Sequence, residues 1–179
     1  MTTTDFSTTI TVDQAPQEVF DAINNVRGWW SEEVEGNTTA VKDVFDYHFE
    51  DIHRCKIEII ESVPGQKVVW LVRENYFKPG IFSDGAESEN AFAGHMAEWV
   101  DTKINFDISQ KNGKTQLRFT HLGLVPEYEC FEACSTGWTH YIGASLRSLI
   151  TTGKGQPNAT GKPQTTEEKK LKAEEAAKK

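Results

Sequence analysis

The sequence predicts an α+β domain in which a curved antiparallel sheet wraps around one long C-terminal helix. Three observations predict this fold. The chain begins with a strand and a short helix, its middle holds alternating segments whose turns agree on one apolar face, and its last apolar stretch has helical periodicity. With 179 residues, 37% of them hydrophobic and 11% aromatic, the chain can bury the core of one such domain.

The first elements are a strand and a short helix. Residues Phe6–Val12 are rich in Thr, Ile and Val, which favours a strand. Pro16 suits the first turn of a helix because that position needs no backbone N–H, and Glu18 faces the positive end of the helix dipole. The apolar stripe of this helix is Val19, Phe20, Ala22 and Ile23. Gly28 ends the helical segment before Trp29–Trp30.

The middle of the chain is predicted to form antiparallel strands whose registers follow from the turns. Asn112–Gly113 is a strong signal for a two-residue hairpin turn, which requires positive φ. The resulting pairs are Ile108 with Leu117, Phe106 with Phe119, and Ile104 with His121. All of these residues except His121 are apolar, so this hairpin has one apolar face.

Two further turns extend that face. A turn at Pro64–Gly65 predicts the pairs Ile59 with Trp70, Ile57 with Val72, and Cys55 with Glu74. A three-residue turn at Glu50–Ile52 predicts the pairs Phe49 with His53, Tyr47 with Cys55, and Phe45 with Ile57. Three independent turns therefore agree on one apolar set, which favours a curved antiparallel sheet.

Residues 78–95, KPGIFSDGAESENAFAGH, interrupt the strand pattern. They are rich in Gly, Ser and acidic residues and contain only isolated large apolar residues. We expect an excursion from the sheet, either an ordinary surface loop or a flap over a cavity.

A single long helix is predicted over Pro126–Thr152. Pro126 suits its first turn and Gly153 suits a left-handed C-terminal cap. One stripe recurs at helical spacing: Phe131, Cys134, Trp138, Tyr141, Ser145 and Leu149. At 1.5 Å per residue the helix is about 40 Å long, enough to cross a whole sheet.

The composition separates a domain, residues 1–153, from a C-terminal tail, residues 154–179. The tail holds seven Lys and four Glu, a charge of +3, whereas the domain holds 12 Lys and Arg and 23 acidic residues, a charge of −11. We expect the tail to be solvated and flexible, with an interaction arm as the alternative. A domain this acidic repels phosphate backbones, so nucleic-acid binding is disfavoured.

The sequence also bears on location. No segment approaches the ~18 apolar residues of a membrane span, and MTTTDFSTT lacks the basic start and apolar run of a signal peptide. Three cysteines, an odd number, suit a reducing compartment. We therefore expect a cytoplasmic protein, a monomer, with no membrane partner.

Two segments at opposite ends of the domain resemble one superfamily. DQAPQEVFDAINNVRGWW at 13–30 and GWTHYIGASLRSLITTG at 137–153 resemble the opening and closing motifs of START-like (SRPBCC) proteins, in the branch named after the activator of heat-shock protein 90 ATPase (AHSA-type). The resemblance covers residues 6–153 and implies the helix-grip fold, as in the birch-pollen allergen. Both motifs are structural, and the family has no shared catalytic signature.

The resemblance implies a hydrophobic cavity between sheet and helix. Relatives bind apolar small molecules there, lipid-like or aromatic and polyketide-like, and some cyclise or dehydrate polyketides. Others bind the heat-shock protein 90 chaperone in the stress response. Our first hypothesis is a binding protein for an apolar small molecule, the second is a chaperone accessory module, and the third is a cyclase or dehydratase enzyme.

The predicted registers place polar residues on the inward face. Tyr47, Cys55 and Glu74 share one cross-strand row with neighbouring Cβ atoms ~5 Å apart. A Glu74 carboxylate facing an apolar cavity would have a raised pKa and act as an acid or orient a ligand hydroxyl. Alternatively, Glu74 reaches solvent, is held by Tyr47, or is turned outward by a one-residue bulge. His121 is either a base at the pocket mouth or a hydrogen-bonded strand-end histidine.

Aromatic residues are the other candidate ligand contacts. Trp70 and Trp138 are expected on facing surfaces, where they either form cavity walls or pack in the core. The complete predicted ligand-binding set is Tyr47, Cys55, Trp70, Glu74, Phe106, Phe119, His121, Trp138 and Tyr141.

Metal and cofactor sites are not expected. Cys130 and Cys134 lie one helical turn apart, but zinc usually needs four ligands and no second pair accompanies them, so buried thiols are the simpler interpretation. The sequence contains no Gly-rich phosphate loop, nucleophile elbow or HExxH motif.

Overall fold

One seven-stranded antiparallel sheet organises the protein. The computed structural model describes residues 5–51, 53–77, 99–124, 131–165, 168–169 and 173. The strands are β1 (Phe6–Val12), β2 (Glu35–Gly36), β3 (Val44–Phe49), β4 (His53–Val63), β5 (Lys67–Phe77), β6 (Lys103–Lys111) and β7 (Lys114–Leu122). Their order in the sheet is β1-β7-β6-β5-β4-β3-β2. The sheet is curved, and with the C-terminal helix it forms the predicted α+β helix-grip fold.

Among the described residues, three helices with defined bounds accompany the sheet. They are α1 (Pro16–Asn24), α2 (Val26–Trp29) and α3, which runs continuously through Phe131–His140, a π-helical turn Tyr141–Leu146, and Arg147–Thr152. The start of α1 is fixed as its sequence predicts, because the Glu18 carboxylate accepts a hydrogen bond of 2.8 Å from the Ala15 backbone N–H. No helix within the described ranges is long and apolar enough to cross a membrane.

The long C-terminal helix is confirmed from residue 131 onward. Gly153 has φ of 84°, the left-handed cap that the sequence predicts. The predicted start at Pro126 and Cys130 lies outside the described residues, as does the 78–95 excursion. The π-helical turn was not predicted, because a stripe of apolar residues does not distinguish an inserted residue in a turn from a regular helix.

Most predicted registers are confirmed. Every predicted pair of β3 with β4 and of β6 with β7 is present. The hairpin turn between β6 and β7 has φ of 55° at Asn112 and 75° at Gly113, as a tight turn of this type requires. Between β4 and β5, Ile59 pairs with Trp70 as predicted.

The pairing of Cys55 with Glu74 is wrong. The register shifts between Lys56 and Ile57, so Cys55 faces Asn75 and Lys56 faces Glu74. The extra residue on β5 turns Glu74 to the outer face, where its side chain is 72% exposed and its carboxylate lies 3.7 Å from Lys56 Nζ. Glu74 therefore does not face the interior.

Residues 154–165, which belong to the predicted solvated tail, pack against the domain. Asn158 is fully buried, its backbone N–H donates to the Trp30 carbonyl at 2.9 Å, and its carbonyl accepts from the Glu32 N–H at 2.9 Å. The Ser145 hydroxyl accepts from the Gln156 N–H at 2.7 Å. Backbone hydrogen bonds, rather than an apolar face, attach this segment to the domain, so hydropathy does not reveal the attachment.

Gly155 provides a test of this attachment. A Cβ at Gly155 would lie 2.1 Å from the Gly28 carbonyl oxygen, whereas a Cβ at Gly137 would meet nothing within 4 Å. We expect Gly155→Ala to lower the free energy of unfolding by about 1–3 kcal/mol through this clash. The control Gly137→Ala should leave it unchanged or raise it by up to about 1 kcal/mol, because alanine favours helix. Urea denaturation measures both, and equal stability of the two variants would contradict the docked segment.

Candidate functional site between the sheet and the long helix

Aromatic rings occupy the space between the sheet and α3. On the inner face, Trp70 and Phe106 have ring centroids 4.7 Å apart, and Phe106 and Phe119 5.3 Å apart. From α3, the Trp138 ring lies 4.8 Å from that of Phe119. All four side chains are buried. The predicted cavity walls are therefore brought together, and at this level their rings contact one another.

The C-terminal end of α2 and the residue after it add two more rings to this layer. Trp29 and Trp30 lie nearly parallel to Trp70, with centroids 6.0 and 5.9 Å from it. Trp30 also stacks on Tyr47 at 3.9 Å and contacts Trp138 at 5.0 Å. The predicted ligand-binding set omitted Trp30, although the pair Trp29–Trp30 directly after the predicted helix was a visible signal.

One indole in the layer has an unused hydrogen-bond donor. The Trp70 side chain is fully buried, and its Nε1–H has no hydrogen-bond partner within the described part of the chain. The neighbouring Trp29 Nε1–H, by contrast, donates to the Ile23 carbonyl at 3.1 Å. A buried donor without a partner costs about 1–3 kcal/mol, so an acceptor placed there by a ligand would be stabilised.

His121 is held in a chain of buried hydrogen bonds. The Thr102 hydroxyl donates to the Trp99 carbonyl at 2.6 Å and lies 2.8 Å from His121 Nε2, while Trp138 Nε1–H donates to His121 Nδ1 at 3.1 Å. Because Nδ1 accepts from Trp138, it carries no hydrogen. The Thr102 hydroxyl donates its own hydrogen to Trp99, so it must accept one from His121, and Nε2 therefore carries the imidazole hydrogen. Burial, and secondarily His53, lowers the pKa of His121 to about 3. His121 is thus a neutral, hydrogen-bonded interior histidine rather than a base.

The state of His121 predicts a pH dependence of stability. Burial also lowers the pKa of His53, to about 4. In the unfolded chain each histidine is protonated below about pH 6.5, whereas in the folded chain both stay neutral until about pH 4. Because the unfolded state binds more protons in this range, the free energy of unfolding falls as pH decreases from about 6.5 towards 4. The expected slope is about 1.4 kcal/mol per pH unit for each histidine. Nitrogen-15 NMR at pH 5 should find His121 as the neutral Nε2–H tautomer, and an imidazolium signal there would contradict this assignment.

A polar cluster of four side chains lies beside Trp30. Asn158 Nδ2 donates towards the Tyr47 hydroxyl at 3.0 Å, the Tyr141 hydroxyl at 2.7 Å and Glu168 Oε1 at 3.1 Å. The Tyr141 hydroxyl donates to Glu168 Oε1 at 2.5 Å. All four residues are buried. Neither Asn158 nor Glu168 was predicted, because both lie in the segment whose composition suggests a solvated tail.

The two cysteines of the described chain are free thiols. Cys55 is buried beside the inner face, and burial raises the pKa of its thiol well above the usual value, so it remains protonated. Cys134 is partly buried on α3. Among the described residues, no group of three or more His, Cys, Asp or Glu side chains is arranged to hold a metal ion.

The interior therefore gathers eight of the nine predicted ligand-binding residues. The eight that are buried there are Tyr47, Cys55, Trp70, Phe106, Phe119, His121, Trp138 and Tyr141. Glu74 lines an open outer pocket of about 440 Å³ together with charged neighbours such as Arg54 and Lys56.

Comparison with known proteins identifies the fold. No family model and no curated protein matches the sequence. Among solved structures, the Aha1 dimer from Colwellia psychrerythraea matches with a TM-score of 0.63 and 19% identity, over 85% of this chain and 99% of that one. DynU16, from the dynemicin biosynthetic locus, matches with a TM-score of 0.56 and 16% identity, over 83% of this chain and 48% of that chain. CalU16 from Micromonospora echinospora matches with a TM-score of 0.52 and 13% identity, over 82% of this chain and 76% of that chain.

These likenesses define the class of fold. The chain shares with them the helix-grip fold, a curved antiparallel sheet with a C-terminal helix. At identities of 13–19% the likeness concerns the fold alone.

Proposed function

We propose that the protein binds an apolar small molecule, aromatic or lipid-like, between the sheet and α3. The observation that carries this proposal is a buried layer of aromatic rings that ends in a cluster of neutral hydrogen-bond donors. Binding sites for small molecules are mostly apolar with a few placed polar groups, which is the composition found here. Aromatic rings also provide large contact area at little cost in side-chain entropy.

Polar groups of the interior would orient the ligand. The unused Trp70 Nε1–H can donate to an acceptor such as a carbonyl oxygen. Tyr47 can donate from the other end of the layer, because its hydroxyl hydrogen has no acceptor among the described residues. His121 contributes shape rather than proton transfer, since both of its ring nitrogens are already hydrogen-bonded.

A cyclase or dehydratase reaction has less support. The two groups that our enzyme hypothesis invoked were Glu74 as an acid and His121 as a base. Glu74 is on the outer face beside Lys56, and His121 is neutral and fully hydrogen-bonded. Neither is placed to exchange a proton with a molecule in the interior.

A chaperone accessory role is the second candidate function. It is favoured by the similarity to Aha1, which extends over nearly the full length of that protein. In this role the outer surface would contact the chaperone, and the ring layer would serve only as the core. Changes inside the layer that preserve folding should then leave chaperone binding unchanged.

Ligand binding can be tested by NMR. We expect 2-acetylnaphthalene, an apolar probe with one carbonyl acceptor, to shift the indole signals of Trp70 and Trp138 and the backbone amides of Phe119 and Tyr141. A broad screen of apolar compounds that shifts none of these signals would count against the proposal. Binding of the heat-shock protein 90 middle domain with no such shifts would favour the second candidate instead.

The Trp70 donor gives a sharper test of orientation. Trp70→Phe removes the N–H but keeps a ring, so 2-acetylnaphthalene should bind about five- to tenfold more weakly, as expected for one neutral hydrogen bond. Its affinity for 2-ethylnaphthalene, which has no acceptor, should be unaltered. Trp29→Phe is the matched control because its N–H is already bonded to Ile23. Equal effects of the two substitutions, measured by calorimetry, would contradict a role for the Trp70 donor.

A further inference from the structure

The polar cluster beside Trp30 has the features of a carboxylate-binding site that is already occupied. Its acceptor is the Glu168 carboxylate, whose Oε1 receives hydrogen bonds from the Tyr141 hydroxyl and from Asn158 Nδ2. These donors are neutral side chains in a buried position, with Asn158 0% and Tyr141 3% exposed. None of the hydrogen bonds to this oxygen comes from a lysine or arginine within the described part of the chain.

The cluster has hydrogen-bonding capacity that Glu168 leaves unused. Tyr47 accepts a hydrogen bond from Asn158, and its own hydroxyl hydrogen has no acceptor among the described residues. The Asn158 side-chain oxygen is buried and likewise unpartnered within the described ranges. A carboxyl group has two oxygens and accepts several hydrogen bonds, so a ligand carboxyl group could also accept from Tyr47.

The donors and the acceptor are attached to the protein differently. Tyr47 is fixed by pairing of β3 with β4 and by stacking on Trp30, Tyr141 belongs to α3, and the Asn158 backbone is bonded to Trp30 and Glu32. Glu168 joins the interior through Oε1, whereas its Oε2 accepts from the backbone N–H groups of Gln164 and Thr165 in its own segment. The donors can therefore stay in place when Glu168 is exchanged for another carboxylate.

The hydroxyl groups remain donors at ordinary pH. Burial, followed by the nearby Glu168 charge, raises the pKa of Tyr47 well above its usual value. Burial, followed by Tyr47 and Glu168, also raises the pKa of Tyr141. Both side chains therefore keep their hydrogens and can donate to a carboxylate oxygen.

We propose that Tyr47, Tyr141 and Asn158 form a subsite for the carboxyl group of an apolar ligand, and that Glu168 occupies this subsite in the free protein. The proposal rests on the proposed function and adds the ligand class, an apolar carboxylic acid. Glu168 acts as an internal competitor, so the acid must displace it before binding.

The test compares two probes of the same shape in full-length protein. Naphthalene-2-acetate carries a carboxylate, and 2-(naphthalen-2-yl)ethanol is its neutral counterpart. Removing the competitor with Glu168→Ala should increase affinity for the acid at least tenfold and change affinity for the alcohol less than threefold. Tyr141→Phe in the Glu168→Ala background should abolish most of the gain. Glu61→Ala, which removes an exposed carboxylate 3.7 Å from Lys67 Nζ, is the control and should change neither affinity.

Each result decides the proposal. If the acid binds wild type and Glu168→Ala equally, the carboxylate subsite is refuted, while binding of the neutral naphthalene probes would still uphold the proposed function. If no naphthalene probe binds any variant, the proposed function fails and the subsite fails with it. Should Glu168→Ala prove unfolded, Glu168→Gln keeps the size of the side chain, and a gain for the acid below twofold in that variant overturns the subsite.

Discussion

Contact among aromatic rings between the sheet and α3 is the interaction on which the rest of the structure depends. Trp70 and Phe106 contribute from adjacent strands, Trp30 from the residue that follows α2, and Trp138 from α3. Each contacts at least one ring of another element. This packing sets the separation of helix and sheet. It also aligns Trp138 to donate to His121 Nδ1. Burial keeps that histidine neutral, because it lowers the pKa of His121 to about 3.

The ring layer needs a polar boundary where tyrosine hydroxyls are buried. Buried hydroxyls require hydrogen-bond partners, and Asn158 supplies them to Tyr47 and Tyr141. The described residues around Asn158 are therefore packed against the rest of the domain. The same boundary links the fold to the proposed function. The Glu168 carboxylate accepts hydrogen bonds from this boundary, and we propose that the carboxyl group of a ligand binds at the same place.

Turn chemistry predicted more of this protein than composition did. The signals at Asn112–Gly113 and Glu50–Ile52 gave correct pairings, because a tight turn fixes which residues face each other. The bulge that turns Glu74 outward was one of the alternatives left open, and the sequence could not select it because one inserted residue leaves the local pattern almost unchanged. Asn158 and Glu168 escaped notice because their attachment is made by hydrogen bonds, which a polar, lysine-rich sequence does not reveal. Trp30 was noted in the sequence but was not included in the ligand-binding set, because residue type alone does not distinguish a side chain that lines a binding site from one that packs in the core.

The segment around Asn158 closes the polar end of the ring layer as a stable part of the fold. Hydrogen exchange at the Asn158 backbone amide, which donates to the Trp30 carbonyl at 2.9 Å, tests this most directly. We predict protection comparable to that of Phe119 in β7, because both amides would open only with the domain. Exchange of the Asn158 amide at the rate of an unstructured peptide, with Phe119 protected, would contradict it.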